Sequence, residues 1–425
     1  MSGSADPRRR AASADPRRRA AEVLARVDAT GSHAARLLGD ASPLARELVL
    51  GTLRWQRTLD HLLAPCLRRP LPSLDPLVRA VLRFALYEAR RLSTPPAVAV
   101  AEAVRVAKAV CQPAAGLVNA VLRRAVQAPW PDAADRSLPA GLRFSHPDWL
   151  VERWRELLGE PLLEAALAAG QAPAPMCVLA SEESERRLRA AGCELAAHPW
   201  SPLVRVVTAN AAAAARVVAE GGAYAIDPTA ALVAALVPCR PGARVADLAA
   251  APGGKLLALT RSAAPRLLLA ADRHPGRVGL LRRNLSAHGV TAALLVADAA
   301  NPPLRAASWE VVIVDAPCSG TGTLRRHPEI RWRLRPEDLP RLAAAGRRIL
   351  AGAARLVAPG GFLLYATCSL EPEENEQVVA GLPFEAVAPT LPSNLNFVER
   401  PGGGVVIPPS ADGDGFTVHL FARPA

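Results

Sequence analysis

Lysine is almost absent from this chain of 425 residues, in which only Lys108 and Lys255 occur. Every other residue counted as basic is therefore an arginine, and the basic excess gives a formal charge of +12. An excess of this size favours a polyanionic partner, and nucleic acid is the commonest one. An arginine-rich solvated surface would give the same charge, so charge alone does not assign a nucleic-acid partner.

Three further absences exclude whole classes of protein. No run of about 18 apolar residues occurs, so no membrane span is expected. The N-terminus carries arginines but no apolar segment, so a signal peptide is not expected. The seven cysteines are odd in number and include no Cys-x-x-Cys pair, which suggests neither a disulfide framework nor a metal site. These features predict a cytoplasmic protein with free thiols and no membrane partner.

The composition divides the chain into five segments. Residues 4–12 and 13–21 repeat one nonapeptide, and this period is too short for a repeat fold. Helical spacing of apolar residues then persists to about residue 128, whereas strands and helices alternate after residue 222. The predicted segments are a disordered basic tail over 1–15, an all-α bundle over 16–128, a linker over 129–143, a small α/β subdomain over 144–221 and a parallel α/β domain over 222–425.

Two helix starts are predicted from the local sequence. Asp15 precedes Pro16, which is the pattern of a capping residue followed by proline at the first helical position. Ser145 is likewise expected to cap a helix that continues through Leu150. His146 follows this serine, and we assign it to the helix entry rather than to catalysis.

The C-terminal part of the chain predicts a doubly wound parallel sheet, so the fold class is α/β. Helical patterns separate the predicted strands. These strands are 243–248, 267–271, 291–296, 310–314 and 361–366, with a last one near 416–421. With the strand order 3-2-1-4-5, the fourth and fifth strands are neighbours, and ligands bind at the carboxyl ends of the strands.

The loop after the first predicted strand has the chemistry of a ligand-binding turn. It reads Asp247-Leu-Ala-Ala-Ala-Pro-Gly-Gly-Lys255, which matches neither Gly-x-Gly-x-x-Gly nor a Walker loop. Its glycines allow the backbone to approach a ligand closely, although a tight turn without a ligand would use them too. Asp272 and Asp298 follow the second and third strands, where a carboxylate either accepts from a ribose diol or caps a helix.

Two cysteines follow neighbouring strands in the same way. The fourth strand leads into Asp315-Ala-Pro-Cys318, and the fifth leads into Thr367-Cys368-Ser369. A lone cysteine is usually a small buried hydrophobe, and the other five cysteines fit that description. Cys318 and Cys368 fit it poorly, because adjacent strand ends place two thiols and a carboxylate at one edge of the sheet. We therefore expect these two cysteines to share one pocket.

These strings resemble the signature motifs of the Sun-type RNA cytosine-C5 methyltransferases. The strings that carry the resemblance are Asp247–Lys255, Asp315–Gly320, Arg325–Pro328, Tyr365–Ser369 and Pro372–Asn375. In the helical part, Leu48–Arg54 and Gly116–Arg123 resemble landmarks of the NusB-type RNA-binding domain. The resemblance implies an all-α NusB-like bundle, a small α/β subdomain and a Rossmann-like methyltransferase domain that uses S-adenosyl-L-methionine.

The resemblance also implies roles for the residues around the predicted pocket. Cys368 would attack C6 of the cytosine, and Asp315 would hydrogen-bond the base near N3 and favour its protonation. Cys318 would assist removal of the C5 proton and release of the enzyme, while Lys255 would position or polarise groups near the base. The residues expected to hold S-adenosyl-L-methionine are Ala249, Ala250, Ala251, Pro252, Gly253, Gly254, Lys255, Asp272, Asp298 and Asp315.

RNA is the implied partner, and a paired base is out of reach, so the target must be unpaired or flipped. The NusB-like half implies small-subunit rRNA as the substrate, and a monomer is expected. Arg325, Arg326 and His327 follow the catalytic turn and either hold the RNA backbone or only flank a helix. Two alternatives stay open: the same chemistry on tRNA or large-subunit rRNA, and a non-catalytic RNA-binding assembly factor, which would have no use for Cys368.

The chain departs from the family pattern at three places. Ala249 stands where many relatives have a cysteine, and this change is not expected to affect catalysis. Ile226 stands where a glutamine often precedes the residue that matches Asp227. The segment from Met176 lacks an Arg-x-Asn string that relatives often carry, which leaves RNA contacts by residues 172–220 open.

Overall fold

A computed structural model describes residues 15–425, which form two compact units. The first, called the helical unit, comprises the described chain up to Ala172 together with Leu324–Arg333. The second, called the sheet unit, comprises Pro173–Thr323 and Leu334–Ala425. The boundary near residue 172 differs from the predicted one at 144, because the long helix after residue 147 belongs to the helical unit. The tail predicted over 1–15 lies outside the described residues, apart from Asp15.

The helices of the helical unit pack their apolar faces into one core. They are α1 (Pro16–Thr30), α2 (Ala34–Leu38), α3 (Pro43–Arg54), α4 (Gln56–Leu63), α5 (Pro76–Arg91), α6 (Pro96–Val110), α7 (Ala115–Ala125), α8 (Ala140–Arg143) and α9 (Asp148–Ala169), with a further short helix, Ile330–Arg333, from later in the chain. Leu48, Phe84 and Leu122 are fully buried in this core. The predicted start of α1 is confirmed, because the Asp15 carboxylate accepts from the first N–H groups of the helix and Pro16 is its first residue. The predicted linker contains α8.

The predicted cap at Ser145 is wrong. α9 begins at Asp148 after a proline, and none of the described side chains caps it. The Ser145 hydroxyl instead accepts from the backbone N–H groups of Arg57 at 3.1 Å and Thr58 at 3.4 Å, in the first turn of α4. Ser145 therefore caps a helix that starts almost ninety positions earlier, a partnership that local sequence does not reveal.

The helical unit includes a segment from far along the chain, Leu324–Arg333, here called the inserted segment. Burial, with a smaller contribution from the charge of a neighbouring arginine, lowers the pKa of Arg331 to about 9, so this buried side chain is charged at neutral pH. The carbonyls that accept from its guanidinium, at 3.0–3.4 Å, belong to Arg54, Ser145, Gly170 and Leu324. The indole of Trp332 donates to the carbonyl of Leu53 at 2.6 Å. These hydrogen bonds make the inserted segment part of the interior of the helical unit.

The sheet unit begins with a small antiparallel sheet of strand order β1-β3-β2. Its elements are β1 (Cys177–Leu179), α10 (Glu182–Ala190), β2 (Glu194–Ala197), β3 (Val204–Ala209) and α11 (Ala211–Ala219). Ser181 and Ser184 form a reciprocal capping box at the start of α10, which fixes where this helix begins. The buried residues of β1 and β3 pack against both helices and the large sheet that follows.

One large sheet with helices around it makes up the rest of the sheet unit. Its elements are α12 (Pro228–Ala235), β4 (Arg244–Asp247), α13 (Gly254–Ser262), β5 (Leu267–Asp272), α14 (Pro275–Ala287), β6 (Ala293–Val296), β7 (Trp309–Asp315), α15 (Leu339–Ala354), β8 (Val357–Thr367), α16 (Glu376–Val379), β9 (Glu385–Val387), β10 (Val398–Arg400), β11 (Gly404–Ile407) and β12 (Phe416–Ala422). The strand order is β10-β11-β12-β8-β7-β4-β5-β6, and β9 also pairs with β12.

The parallel part of this sheet explains where a ligand can bind. Strands β6, β5, β4, β7 and β8 are parallel neighbours in that sequence, which confirms the predicted order 3-2-1-4-5. Val311–Val314 of β7 are buried, as expected for a strand that is covered on both faces. The carboxyl ends of these strands therefore lie along one edge. Within residues 15–425, no helix combines the length and the apolar composition that crossing a membrane requires.

Candidate active site

A pocket lies at the carboxyl ends of β4 and β7. The strand register places Asp247 beside Ile313 and Asp315 beside Ala366, so the loops after β4, β7 and β8 begin side by side. The residues that line the pocket are Tyr224, Ala225, Ile226, Asp227, Ala230, Asp247, Ala249, Ala250, Ala251, Pro252, Gly254, Lys255 and Asp315. The edge of the sheet at which the sequence analysis predicted ligand binding therefore carries an open pocket of a size that suits a ligand.

Lys255 and Asp315 form the charged centre of this pocket. Lys255 lies in the first turn of α13, and its ammonium donates to Asp315 Oδ2 at 2.6 Å. The ammonium nitrogen also lies 5.1 Å from the centre of the Phe416 ring, within the range of a cation–π contact. Burial lowers the pKa of Lys255, but the surrounding anionic groups, Asp315 first among them, raise it more, and its net pKa is raised. Lys255 is therefore a stable cation in this site.

Asp247 is a buried acid at the end of β4. Its Oδ1 accepts from the backbone N–H of Ala249 at 3.1 Å. Burial raises the pKa of Asp247 to about 7, against the lowering effects of this hydrogen bond and of the Lys255 charge. Near neutral pH the carboxyl group of Asp247, in the wall of the pocket, therefore exists in both protonated and ionised forms.

The thiols of the two predicted cysteines meet beside this pocket. The Sγ atoms of Cys318 and Cys368 lie 3.4 Å apart, well beyond the roughly 2.05 Å of a disulfide and within hydrogen-bond distance for sulfur. The hydrogen bond to Cys368, burial and the negative charge of Cys368 raise the pKa of Cys318 well above its ordinary value, and Glu374 and Asp315 add to the effect. The raised pKa favours the thiol form of Cys318 in this contact.

The loop between β4 and α13 is pinned by its neighbours. The N–H of Ala250 donates to the carbonyl of Ala271 in β5, and the Asn284 amide donates to the carbonyl of Pro252. Gly253 has a φ of +113°, a backbone conformation that favours glycine, and α13 begins at the next residue. The loop therefore delivers the N-terminus of a helix to the edge of the pocket, where backbone N–H groups suit polar ligand atoms.

Two family models match separate regions of the chain. The model of the 16S rRNA methyltransferase RsmB/F family matches residues 234–418, and the NusB family model matches residues 14–127. Ribosomal RNA small subunit methyltransferase B from Klebsiella pneumoniae subsp. pneumoniae is 32% identical over 386 residues, which cover 88% of each chain. The protein of the same name from Thermus thermophilus is 36% identical over 370 residues, which cover 84% of this chain and 85% of that one. The chain belongs to the RsmB/F methyltransferase family.

Solved structures show the same fold. The crystal structure of PH0851 superposes with a TM-score of 0.75 at 24% identity and covers 96% of this chain and 99% of that chain. A methyltransferase homolog protein from Pyrococcus horikoshii superposes with a TM-score of 0.54 at 24% identity, over 67% of this chain and 97% of that chain. The predicted α/β fold class, with a NusB-like helical region and a Rossmann-like methyltransferase sheet, is confirmed.

As a member of this methyltransferase family, the protein uses S-adenosyl-L-methionine, and the pocket fits that molecule. Ile226, Ala230 and Pro252 give it apolar walls, which suit an adenine ring. The carboxylates of Asp227 and Asp315 suit hydroxyl and ammonium groups, which donate hydrogen bonds. The residues that line the pocket would hold the cofactor, which supplies an electrophilic methyl group when bound.

The residues predicted to hold the cofactor fall into two groups. Those that line the pocket are Ala249, Ala250, Ala251, Pro252, Gly254, Lys255 and Asp315, and Gly253 shapes the turn behind them. Asp272 and Asp298 are not among the lining residues. The Asp272 carboxylate accepts from His274 N–H and contacts Arg277, and the exposed Asp298 accepts from Ala300 N–H. A cofactor contact by these two aspartates stays a prediction.

Three of the residues that the structure adds to this RsmB/F site, beyond those assigned by sequence reasoning, contact its central groups. Tyr224 lines the pocket, Phe416 lies against the ammonium of Lys255, and Glu374 contacts the turns that carry both cysteines. Only Glu374 lies in a recognised motif, Pro372–Asn375. The two aromatic residues come from chain positions far from the motifs, and their only signal was their scarcity in the sequence.

The expected RNA-contacting residues of the inserted segment lie in the helical unit. Arg325 is buried, and its carbonyl accepts from Arg54 at 3.2 Å. His327 is close to His33 and to the buried carboxylate of Glu329. The two nitrogens of the His33 ring contact Glu329 and an arginine, whereas His327 Nδ1 and Glu329 Oε2 are buried without a hydrogen-bond partner among the described residues. RNA binding by the Arg325–His327 stretch stays a prediction.

Proposed function

We propose that this protein transfers a methyl group from S-adenosyl-L-methionine to C5 of a cytosine in small-subunit rRNA through a covalent adduct at C6. The observation that carries the proposal is the pair of thiols 3.4 Å apart, beside a lysine–aspartate pair at the methyltransferase pocket. A protein that only binds RNA has no need of two such thiols. The relatives named ribosomal RNA small subunit methyltransferase B support the choice of RNA.

Cys368 performs the first step. Cytosine C5 is a poor nucleophile, and addition of the Cys368 thiolate to C6 turns the ring into an enamine-like nucleophile that takes the methyl group at C5. Asp315 hydrogen-bonds the base near N3 and favours protonation there as C6 is attacked. Lys255 holds the Asp315 carboxylate at 2.6 Å and places a positive charge beside it.

Cys318 performs the last step. The environment of its thiol explains why this step follows the attack by Cys368. The largest cause of its raised pKa is the hydrogen bond to Cys368, followed by burial and then by the charge of Cys368. Bonding of the Cys368 sulfur to C6 removes the charge and weakens the hydrogen bond, because a thioether carries no charge, so the pKa of Cys318 falls while burial still acts on it. Cys318 can then lose its proton to solvent and accept the C5 proton. The C6–S bond breaks as the C5–C6 double bond forms, and Cys368 leaves as a thiolate.

Charge and the helical unit support RNA as the partner. The formal charge is +12, and the NusB family model covers residues 14–127. A positive surface attracts the RNA backbone, but the chemistry needs an unpaired or flipped base in the pocket. We expect the protein to act as a monomer, because the residues assigned to both chemical steps come from a single chain.

The Cys318→Ala variant tests the mechanism. This variant forms the adduct but lacks the group that removes the C5 proton, so RNA stays joined to Cys368. We expect a protein–RNA band on denaturing gels in the presence of the cofactor, and no band when Cys368 is also replaced by alanine. The absence of linked RNA from the single variant under methylating conditions refutes the two-cysteine mechanism.

The substrate needs a separate test. Bisulfite sequencing of all rRNA and tRNA from a deletion strain identifies the cytosine that loses its methyl group, and the wild-type gene should restore it. Unchanged methylation at every small-subunit cytosine contradicts our choice of substrate. Loss of a tRNA or large-subunit methyl group instead keeps the chemistry and changes the RNA.

A further inference from the structure

The motif Pro372–Asn375 follows the Cys368 turn, and the mechanism above gives it no role. Its Glu374 side chain is only 2% exposed, which is unusual for a carboxylate that has no basic partner among residues 15–425. Glu374 accepts hydrogen bonds from the residue that follows each cysteine, Ser319 after Cys318 and Ser369 after Cys368. A single buried carboxylate therefore joins the two turns that carry the thiols.

The hydrogen bonds of this carboxylate are short and form a complete set. Glu374 Oε1 accepts from the Ser319 N–H at 2.7 Å. Its Oε2 accepts from the hydroxyl of Ser319 at 2.5 Å and from the hydroxyl of Ser369 at 2.6 Å. Hydrogen bonds to an ionised acceptor are stronger than bonds between neutral groups. Each serine hydroxyl has one proton to donate, so an ionised Glu374 satisfies all three donors, and a carboxylic acid would have to find an acceptor of its own.

The backbone of Glu374 is held as firmly as its side chain. The Tyr365 hydroxyl donates to the Glu374 carbonyl at 2.9 Å. The Asn375 amide donates to the carbonyls of Ser369 at 3.1 Å and Glu371 at 2.8 Å. Glu374 is therefore a fixed point against which both turns are aligned.

We propose that Glu374 is a positioning residue, which holds the Cys318 and Cys368 turns in the register that brings their thiols together. The role of this alignment in catalysis rests on the proposed function, whereas the alignment of the two turns itself does not depend on that function. Within residues 15–425, the hydrogen bonds to the carboxylate come from the two serines, which transmit its positioning effect to the thiols. Its negative charge also contributes to the raised pKa of Cys318 and so favours the thiol form.

The two turns have other connections, so loss of Glu374 should loosen them without unfolding the sheet. The N–H of Gly322 donates to the Cys368 carbonyl at 2.9 Å, and the N–H of Leu370 donates to the Thr321 hydroxyl at 3.0 Å. Glu374→Ala removes the bridge entirely. Glu374→Gln keeps an acceptor for the Ser319 N–H and an amide that can donate to the hydroxyls, so it retains the bridge but not the charge.

The test measures thiol register and catalysis separately in the full-length protein. Diamide oxidises two nearby thiols to a disulfide and is itself reduced, and peptide mapping reports the rate at which Cys318 and Cys368 become joined. We expect Glu374→Ala to slow this reaction about tenfold and to lower kcat about a hundredfold, the scale of a misplacement near 1 Å. The KM for S-adenosyl-L-methionine should change by less than about twofold, because the cofactor pocket is untouched.

Glu374→Gln and an exposed carboxylate provide the controls. Glu374→Gln should cross-link at close to the wild-type rate, which a general loss of packing would not allow. Glu385→Gln, on the exposed β9 strand of the same unit, should match the wild type in both assays. If near-ultraviolet circular dichroism shows that Glu374→Ala is not folded, Ser369→Ala takes its place. This variant removes the hydrogen bond from Ser369 to Glu374, together with the contacts of the same hydroxyl with Ser319, Thr321 and the Glu371 N–H.

Each outcome bears on the proposal. Wild-type rates of cross-linking and methyl transfer in Glu374→Ala, or in Ser369→Ala where that variant replaces it, overturn it. Slower cross-linking together with a lower kcat supports it. Slower cross-linking in the variant, when even the wild-type protein methylates no RNA, supports the positioning role and refutes the proposed function.

Discussion

Arg331 should be one of the largest single contributors to the stability of the helical unit. Its guanidinium is fully buried and donates to four backbone carbonyls at 3.0–3.4 Å. The change to test is Arg331→Ala, which leaves these carbonyls without their donor and opens a cavity.

The structure sets the size of the expected effect. A buried acceptor without a donor costs about 1–3 kcal/mol, and the lower value suits bonds that are long or bent, so four acceptors give about 4 kcal/mol. The variant also removes a buried charge whose desolvation opposes folding, which offsets part of this loss. We therefore expect the free energy of unfolding to fall by about 3 kcal/mol, a large share of the roughly 5–15 kcal/mol of a typical domain.

Urea unfolding, followed by tryptophan fluorescence, measures this change. Trp332 lies next to Arg331 and reports on the helical unit. Arg333→Ala is the matched control, because Arg333 is in the same segment but exposed, and its loss should cost less than about 1 kcal/mol. The reasoning is refuted if the free energy of unfolding of Arg331→Ala lies within about 1 kcal/mol of the wild-type value, or equals that of Arg333→Ala.

Two further predictions concern the pocket. Asp247 has a pKa of about 7 in the folded protein, against 3.8 as its ordinary value. Between these two pH values the folded state keeps a proton that the unfolded state loses. The free energy of unfolding therefore falls as the pH rises from about 4 to 7. In urea titrations of the cofactor-free protein, Asp247→Asn should flatten this dependence and add up to roughly 4 kcal/mol at pH 8, and an unchanged profile contradicts the assignment. Lys255→Met should lower kcat about 10²–10³-fold in a methyl-transfer assay, because Asp315 loses its cation, and a kcat near the wild-type value removes Lys255 from the mechanism.

Sequence reasoning succeeded where structure follows from local pattern. Apolar runs located β4, β5, β7 and β8 to within a few residues, because a parallel strand is buried on both faces. The strand order then placed Cys318 beside Cys368, since successive strand ends meet at one edge. Lys255 was noticed because lysine is so scarce, and its position at the start of a helix follows from Gly253.

The failures share a physical cause, which is that the partner is distant in sequence. Ser145 has the composition of a cap, but it caps α4 rather than the helix that follows it. Arg331 has a typical surface residue type, and only tertiary structure reveals the carbonyls around it. Glu374 bridges Ser319 and Ser369, which are 50 residues apart in the sequence. The motif that contains Glu374 does not reveal this contact.

The inserted segment has a consequence for the time course of synthesis. The helical unit ends its first stretch at Ala172 and recovers its last piece only at Leu324, so residues 173–323 must be made in between. At about 5–20 residues per second, the ribosome needs roughly 8–30 s to supply these 151 residues. During that interval the carbonyls of the first stretch that accept from Arg331 and Trp332 lack their donors. A newly made helical unit therefore stays incomplete. Completion of the N-terminal unit therefore requires that strands β4–β7 of the methyltransferase sheet have already been translated.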